Sequence, residues 1–269
     1  MRRLYCLLGD PVAHSLSPKI HARAFQLLGV DAVYAPCQVR PADLPAAFAG
    51  LRALSVAGFN VTVPHKAEAA RLCDSVSKQA GGYNAVNCVA RANDGQLVGH
   101  NTDAPGLLRA LRPVNLDGAR VAIVGAGGSA HAAALALADR ASSIAIVNRT
   151  QARAEELAAL VRARGCKAEA AEISAIASAS VVVQCTSVGL GTSALPFDPA
   201  LLARDATLVD LVYAPQGPTA LVLRARELSV RAIDGLEVLV HQAIASLEIW
   251  LTRPQLDELY APLREAALA

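Results

Sequence analysis

Polar side chains gather in two short stretches in the N-terminal half of the chain. The first, Asn60–Lys66 (NVTVPHK), reads as a strand that its proline ends, and Asn60 and Thr62 share one face because side chains alternate along a strand. Lys66 then follows the carboxyl end of that strand, where α/β proteins collect the residues of their sites. The second stretch is Asn101–Asp103 (NTD), beside a predicted helix. Taken singly, these residues also have ordinary explanations, as a solvated lysine and as an aspartate that caps a helix.

A glycine turn further along the chain joins a strand to a helix. Within Arg120–Leu137, the apolar residues Val121–Val124 run into Gly125–Ala130 (GAGGSA), and an alanine-rich helical run follows. The glycines permit a tight turn and let the backbone approach a pyrophosphate, while the helix start offers free N–H groups to an anion. With both flanks correct, the stretch predicts a dinucleotide site rather than a purely structural turn.

The residues after the next strand indicate which dinucleotide binds. NAD-preferring folds place an acidic residue about 20 positions after the glycines, where it holds the ribose 2′-hydroxyl. Here the strand Ser143–Val147 ends in Asn148-Arg149-Thr150, and Arg153 follows one helical turn later. The two guanidinium groups could bind a 2′-phosphate through charge-assisted hydrogen bonds, although a pair of solvated arginines is the alternative. We predict NADP.

The elements that must position these residues alternate between strands and helices, which implies parallel sheets connected by right-handed crossovers. In the first predicted helix, Ser17 is expected to be the N-cap and Gly29 to end the helix. The apolar residues predicted to form its buried stripe are Ile20, Ala24, Leu27 and Leu28. The strands predicted from apolar runs are Leu4–Leu8, Ala32–Val39, Gly58–Pro64, Asn84–Arg91, Gln96–His100, Val121–Val124, Ser143–Val147, Val181–Gln184, Leu208–Val212 and Val230–Ile233.

Composition narrows the class of protein. The chain has 269 residues, of which 54% are hydrophobic and 18% charged, so it can bury a core and is not disordered. A formal net charge of +2 without a basic tract argues against nucleic acid as a partner. The longest charge-free run, Ile173–Phe197, is broken by glycine and proline, so we expect no membrane span. The cysteines are widely spaced, which favours reduced thiols in the cytoplasm and no metal site.

Eight short motifs, in order along nearly the whole chain, resemble those of the shikimate dehydrogenase family. One such motif would be weak evidence, but eight at family-like spacing are specific. They are HSLSPKIH (His14–His21), NVTVPHK (Asn60–Lys66), AVNC (Ala85–Cys88), NTD (Asn101–Asp103), GAGGSA (Gly125–Ala130), NRT (Asn148–Thr150), DLVY (Asp210–Tyr213) and DGLEVLVHQ (Asp234–Gln242).

The resemblance implies a reversible reduction of 3-dehydroshikimate to shikimate with NADPH, in the shikimate route to chorismate and the aromatic amino acids. It implies that Lys66 and Asp103 form the catalytic pair at the reacting oxygen. Our mechanistic hypothesis is that Lys66 transfers the proton and Asp103 orients Lys66, and a mainly electrostatic role of Lys66 is the alternative. The substrate-binding residues that the resemblance implies are Ser15, Ser17, Asn60, Thr62, Lys66, Asn87, Asp103, Tyr213 and Gln242. The cofactor-binding residues that it implies are Gly125, Ala126, Gly127, Gly128, Ser129, Asn148, Arg149, Thr150, Arg153, Thr186, Val212 and Gly235.

The expected architecture is α/β, with two domains and a cleft between them that closes on the substrate. Residues 1–102, completed by C-terminal helices in 237–269, form the substrate-binding and catalytic domain. Residues 103–236 form a Rossmann-like NADP-binding domain with a parallel sheet. The expected partner is the small-molecule substrate, without nucleic acid or membrane, and the expected assembly is a monomer or homodimer in the cytoplasm.

The chain departs from the family pattern at four places, which are Asn84, Cys88, His131 and Glu237-Val238. The catalytic pair is unaffected, so activity is still expected. Two alternatives stay open. One is the quinate/shikimate branch, which oxidises quinate and often uses NAD. The other is a catalytically silent dinucleotide-binding sensor, which would need neither the catalytic pair nor the two serines.

Overall fold

The computed structural model describes residues 2–83, 85–214 and 216–269, and it divides the chain into two compact units. The first unit runs to Gly106 and resumes with Val240–Ala269, and the second unit is Leu107–Leu239. The strands are β1 Arg3–Gly9, β2 Ala32–Gln38, β3 Gly58–Val61, β4 Ser75–Val76, β5 Cys88–Arg91, β6 Leu97–His100, β7 Arg120–Val124, β8 Ser143–Val147, β9 Lys167–Ala171, β10 Val181–Gln184, β11 Thr207–Asp210 and β12 Arg231–Ile233.

The helices carry the connections between these strands. They are α1 Ser17–Leu27, α2 Leu44–Ala53, α3 Lys66–Leu72, α4 Lys78–Gly81, α5 Asp103–Ala110, α6 Gly128–Leu137, α7 Gln151–Ala163, α8 Ala220–Glu227, α9 Gly235–Leu251 and α10 Tyr260–Leu268. Several predicted ends are wrong by a few residues: β3 ends at Val61, β5 begins at Cys88 and β11 ends at Asp210. Asn84, the predicted start of the fourth strand, lies outside the described residues.

The sheet of the first unit is mixed, with strand order β2-β1-β3-β5-β6-β4. β1 is parallel to β3, whereas β5 is antiparallel to both β3 and β6, with Cys88 opposite Asn60 on one side and His100 on the other. The end of β3, the start of β5 and the end of β6 therefore meet at one edge of the sheet, which is the edge where β1 and β3 have their carboxyl ends. Residues just beyond those three points are brought together there, and they include Lys66, Asn87 and Asp103.

The first helix, α1, differs from its prediction in two respects. Ser17 is its first residue rather than its N-cap, because the Ser15 hydroxyl oxygen accepts the Ser17 N–H at 3.2 Å and already satisfies that donor. Leu27 is 41% exposed, so its place in the buried stripe was wrong. The buried face instead follows the helical spacing through His21 and Phe25, beside Ile20 and Ala24 as predicted.

His21 lies fully buried in an aromatic cluster of the first unit. Its ring stacks on Tyr34 at 4.3 Å between centroids and also contacts Phe25 and Trp250. Neither ring nitrogen has a hydrogen-bond partner among the described residues. Burial lowers the pKa of His21 to about 3, against a smaller opposing effect of the neighbouring Asn60. The imidazole is thus held neutral in the folded protein.

Stability is expected to fall with acidification because of this histidine. The pKa of His21 in the folded protein lies below its value of 6.5 in the unfolded chain, so the unfolded state binds the extra proton as the pH drops below 6.5. Between pH 7.5 and pH 5, this linkage removes about 2 kcal/mol from the free energy of unfolding. The phenylalanine variant H21F keeps a ring and cannot titrate. Urea denaturation should therefore show a pH dependence smaller in H21F by about that amount, and equal slopes would contradict the assignment.

The second unit contains six parallel strands in the order β12-β11-β10-β7-β8-β9. This is the doubly wound order of a Rossmann sheet, with β7 and β10 at the point where the strand order reverses. The α/β fold with a parallel Rossmann-like sheet is therefore confirmed. The edge strand β9 was not predicted, because its sequence, KAEAA, has weak strand propensity and pairs only with β8. Among the described helices, none is both long and apolar enough to cross a membrane.

Candidate functional site

Lys66 and Asp103 form an ion pair at the edge of the first unit's sheet. Each is the first residue of its helix, α3 and α5 respectively, and the Lys66 Nζ lies 2.6 Å from the Asp103 Oδ2. Their side chains are only 12% and 20% exposed, so solvent screens the pair weakly. The ordinary explanation of Asp103 as a helix cap does not hold, because the Asn101 Oδ1 accepts the Ala104 N–H at 3.0 Å in that role. The Asp103 carboxylate is thereby available to the lysine.

Asn87 holds the other oxygen of this carboxylate. Its Nδ2 donates to the Asp103 Oδ1 at 2.7 Å and to the Thr102 Oγ1 at 3.0 Å, and its Oδ1 accepts the Thr102 N–H at 2.7 Å. Asn87 is buried, as is Thr102. Both oxygens of Asp103 are thus engaged in charge-assisted hydrogen bonds, which fix the carboxylate and, with it, the ammonium group of Lys66.

Asn60 is a buried residue whose side chain binds the backbone of Asn87. Its Oδ1 accepts the Tyr34 hydroxyl at 2.8 Å, and its Nδ2 donates to the Asn87 carbonyl oxygen and to the Ser246 Oγ, both at 3.0 Å. With both amide hydrogens and the oxygen bound within the protein, Asn60 acts on the site by holding Asn87 and Ser246. The direct substrate contact that the resemblance implies for Asn60 stays a prediction.

Gln242 joins the cluster because two helices approach closely. A Cβ added to Gly106 of α5 would lie 2.8 Å from the Gln242 Cβ and 2.9 Å from its backbone nitrogen on α9. Only glycine permits this approach. The Thr102 Oγ1 then lies 3.3 Å from the Gln242 Oε1. The structure therefore brings Lys66, Asn87, Asp103 and Gln242 into one hydrogen-bonded cluster within the first unit.

Ser15 and Thr62 lie on the two loops that follow β1 and β3 at the same sheet edge, and Ser17 begins α1 directly after the first of these loops. These loops are joined where the Asp10 N–H donates to the Val63 carbonyl at 3.0 Å and the Thr62 N–H donates to the Leu8 carbonyl at 2.8 Å. Ser17 is buried, and the other two side chains are half-buried.

The glycine turn of the second unit has the shape that a phosphate needs. Gly125 has φ +115°, which favours glycine, and a Cβ there would meet the Thr186 Cγ2 at 3.2 Å. Gly127 is exposed, and no atom lies within 4 Å of the place where its Cβ would be, so a ligand can approach the backbone. The ten-residue helix α6 begins at Gly128 and directs its free N–H groups there. The residues present fit a dinucleotide.

The two arginines after β8, Arg149 and Arg153, are exposed. The Asn148 Nδ2 donates to the Thr150 carbonyl oxygen at 2.9 Å, which shapes the turn into α7. Arg149 and Arg153 have no ion pair or side-chain hydrogen bond within the described residues. No described side chain therefore neutralises their charges.

The remaining predicted cofactor residues follow strands β10, β11 and β12. A Cβ on Gly235 would lie 2.4 Å from the Val212 carbonyl oxygen. The backbones of Gly235 and Val212 are therefore so close that only a glycine fits at position 235. The Thr186 N–H donates to the Gln184 Oε1 at 2.6 Å, and Gln184, fully buried, holds the loop that carries Thr186. Tyr213, one residue beyond Val212, is half-buried.

A buried aspartate shapes this last loop. The Asp210 carboxylate accepts the Thr219 hydroxyl at 2.6 Å and the Val212 N–H at 3.0 Å. Burial raises the pKa of Asp210 to about 6, although both hydrogen bonds oppose the rise, and the nearby Asp234 adds to it. Through these two hydrogen bonds Asp210 stabilises the loop between β11 and α8, which contains Tyr213.

Sequence reasoning assigned no role to several residues that the site uses. They are Tyr34, Thr102, Gln184, Asp210 and Ser246. The sequence did carry a signal for Asp210, because burying an aspartate at the end of an apolar strand costs free energy unless its carboxylate is hydrogen-bonded. Tyr34 and Ser246 carried none, because their partner, Asn60, is distant in the chain.

The chain is similar to known proteins over nearly its whole length. Residues 7–89 match the shikimate dehydrogenase substrate binding domain, and residues 108–190 match the shikimate / quinate 5-dehydrogenase family. The NADP(+) shikimate dehydrogenase of Hyphomonas neptunium is 40% identical over 270 residues, which cover 98% of each chain.

Two solved structures are similar over nearly the whole chain. Shikimate 5-dehydrogenase of Thermus thermophilus, in complex with NADP(H) and shikimate, is 33% identical with a TM-score of 0.88, covering 98% of each chain. The ligand-free 5-ketofructose reductase of a Gluconobacter species is also 33% identical, with a TM-score of 0.87 and 98% coverage of each chain.

Proposed function

The chain belongs to the shikimate and quinate dehydrogenase family, and from this premise we propose that it acts as an NADP-dependent shikimate dehydrogenase. It reduces 3-dehydroshikimate to shikimate reversibly, a step toward the aromatic amino acids. The observation that carries the proposal is the nearly buried Lys66–Asp103 pair at 2.6 Å, with Asn87 on the second carboxylate oxygen. A protein that only sensed a dinucleotide would have no use for this pair.

The substrate is a small acid with several hydroxyl groups, and the first unit offers matching groups. Ser15 and Ser17 bind the carboxylate through their hydroxyls, at the N-terminus of the eleven-residue helix α1, where the helix dipole favours an anion. Thr62, Asn87 and Gln242 contact the ring hydroxyls or the carboxylate. The role of Tyr213 stays a prediction.

NADP is the cofactor, and its chemistry is the transfer of a hydride to the carbonyl carbon of the substrate. The backbone of Gly125–Ser129 and the start of α6 hold its pyrophosphate. Arg149 and Arg153, with Asn148 and Thr150, hold the 2′-phosphate. Thr186, Val212 and Gly235 complete the cofactor site.

Lys66 transfers the proton that balances the hydride. In the reduction, its ammonium group donates a proton to the C3 oxygen, so that the carbonyl becomes a hydroxyl; in the oxidation, the neutral amine takes that proton back. Asp103 orients the Lys66 Nζ through the 2.6 Å contact. Asn87 prevents the carboxylate from rotating, because it binds the second oxygen at 2.7 Å.

Initial rates for shikimate and quinate, each with NADP and with NAD, test the proposal. Shikimate with NADP should give the highest kcat/KM. A preference for quinate with NAD would assign the chain to the quinate branch. Absence of turnover in all four combinations, with a folded protein that binds NADP, would favour the sensor and overturn the proposal.

We place the enzyme in the cytoplasm, without nucleic acid as a partner, as a monomer or homodimer. The support is the modest net charge of +2 and six cysteines that are all free. Light scattering coupled to gel filtration measures the assembly directly.

A further inference from the structure

Thr102 lies between the Asn101 cap and the Asp103 carboxylate, and its side chain is completely buried. Its hydroxyl oxygen lies within 3.3 Å of polar side-chain atoms from Asn87, Gln242 and Ser246. Asn87 lies just before β5, whereas Gln242 and Ser246 lie one helical turn apart on α9. Thr102 is therefore the point at which the start of β5 and the middle of α9 are joined by hydrogen bonds beside the Lys66–Asp103 pair.

The backbone N–H of Thr102 decides which way the Asn87 carboxamide faces. An N–H can only donate, so the group 2.7 Å away must be the Asn87 oxygen, Oδ1. The Asn87 Nδ2 then faces the Thr102 Oγ1 at 3.0 Å and the Asp103 Oδ1 at 2.7 Å. If the carboxamide were rotated by half a turn, its oxygen would face the carboxylate and repel it.

The hydroxyl proton of Thr102 decides the orientation of Gln242. A hydroxyl carries one proton, and three acceptors lie within reach at 3.2–3.3 Å. Two of these acceptors, the Asn87 Oδ1 and the Ser246 Oγ, also receive hydrogen bonds from the Thr102 N–H and the Asn60 Nδ2. The Gln242 Oε1 can only accept, so its contact with the Thr102 hydroxyl is made through the Thr102 proton, and the amide oxygen of Gln242 lies on the Thr102 side.

We propose that Thr102 is a positioning residue that sets the orientation of two substrate-binding carboxamides, those of Asn87 and Gln242. It acts on the Lys66–Asp103 pair through Asn87, and it acts on substrate binding through Gln242. This inference rests on the proposed function, because it takes these side chains as the ones that meet the substrate.

The valine variant T102V removes the hydroxyl and keeps the shape of the side chain. The backbone N–H still holds Asn87, so the larger effect falls on Gln242, whose carboxamide loses the hydrogen bond from Thr102. Loss of this buried hydrogen bond should lower kcat/KM for shikimate by about tenfold, mainly through KM. The KM for NADP should not change. Serine at this position, T102S, keeps the hydroxyl and should restore kcat/KM to within about threefold of wild type.

Thr207 provides a matched control, because it is also a buried threonine but lies at the start of β11 in the second unit, outside the Lys66 cluster. T207V makes the same substitution there and should leave the KM for shikimate within about threefold of wild type. An equal rise in KM for T207V and T102V would show that the loss of any buried threonine hydroxyl has this effect, and would overturn the proposal.

A double-mutant cycle with Q242L tests whether Thr102 acts through Gln242. If it does, T102V should raise KM much less in the Q242L background than in the wild type. Additive effects would contradict the proposed route. Should T102V fail to fold, T102C serves as the second variant, because a thiol is a weaker donor of similar size and should give an intermediate KM.

The outcomes also separate this inference from the proposed function. Absence of shikimate turnover in the wild-type enzyme would remove the proposed function. An active wild type together with a folded T102V variant of unchanged KM would leave that function intact and overturn only the role of Thr102.

Discussion

The methionine variant K66M is expected to lower kcat for shikimate oxidation by about 10³-fold, while the KM for shikimate changes by less than about fivefold. Methionine has a similar length but carries neither a proton to transfer nor a charge. The loss therefore falls on the step in which the C3 oxygen gains or loses its proton, and the groups that bind the rest of the substrate remain in place. Steady-state rates over a range of shikimate concentrations measure both constants.

The controls for K66M address folding and charge. Lys167, on the edge strand β9 of the second unit, is an exposed lysine, and K167M should leave kcat and KM unchanged. Trp250 is the single tryptophan and donates to the Val89 carbonyl oxygen at 3.0 Å beneath the first unit's sheet, so its fluorescence reports whether that unit is folded. Near-normal turnover of a folded K66M enzyme would end the assignment of Lys66.

Removal of both exposed arginines, in the double variant R149A/R153A, is expected to raise the KM for NADP by about 10²-fold. In the proposed site each guanidinium donates a charge-assisted hydrogen bond to the 2′-phosphate, and neither is neutralised by another side chain among the described residues. NAD lacks that phosphate, so kcat/KM with NAD should stay within about threefold of the wild-type value. The ratio of kcat/KM with NADP to kcat/KM with NAD should therefore fall, and the fall should come from weaker NADP binding alone.

A third arginine supplies the matched control for this prediction. Arg162 lies on α7, the helix that also carries Arg153, and it pairs with Glu155 and donates to the Ala168 carbonyl oxygen. R162A should leave the KM for both dinucleotides unchanged. If R149A/R153A lowered the efficiency with NAD and NADP equally, the arginines would serve the fold rather than the 2′-phosphate.

The dinucleotide half of the protein could be predicted from local sequence. A buried strand, a glycine turn and a helix are consecutive in the chain, and the physical demands of that turn act on residues a few positions apart. Gly125 illustrates this, because its φ of +115° is a property of the turn itself. The sequence also shows directly that the residues after β8, Asn148–Thr150, include no acidic side chain. The edge strand β9 escaped prediction because its strand conformation depends on pairing with β8, not on its own composition.

The substrate half could be predicted only in part. The motifs named Lys66 and Asp103, but no spacing in the sequence places residues 37 positions apart within 2.6 Å of each other. The pairing of β3 with the β5–β6 hairpin does so, because it brings two helix starts to the same sheet edge. Gly106 is a similar case. In the sequence it is an unfavourable residue within a helix, whereas in the structure it admits Gln242.

The sequence by itself determined the class of fold, the cofactor chemistry and the identity of the residues that could move a proton. These depend on residue types and on short-range geometry, which are encoded locally. Only the tertiary structure decided which polar groups meet, that Asn60 faces inward and that Thr102 touches both Asn87 and Gln242. The physical reason is that a buried hydrogen bond depends on the direction and distance of its partner, and those are fixed by the packing of elements far apart in the chain.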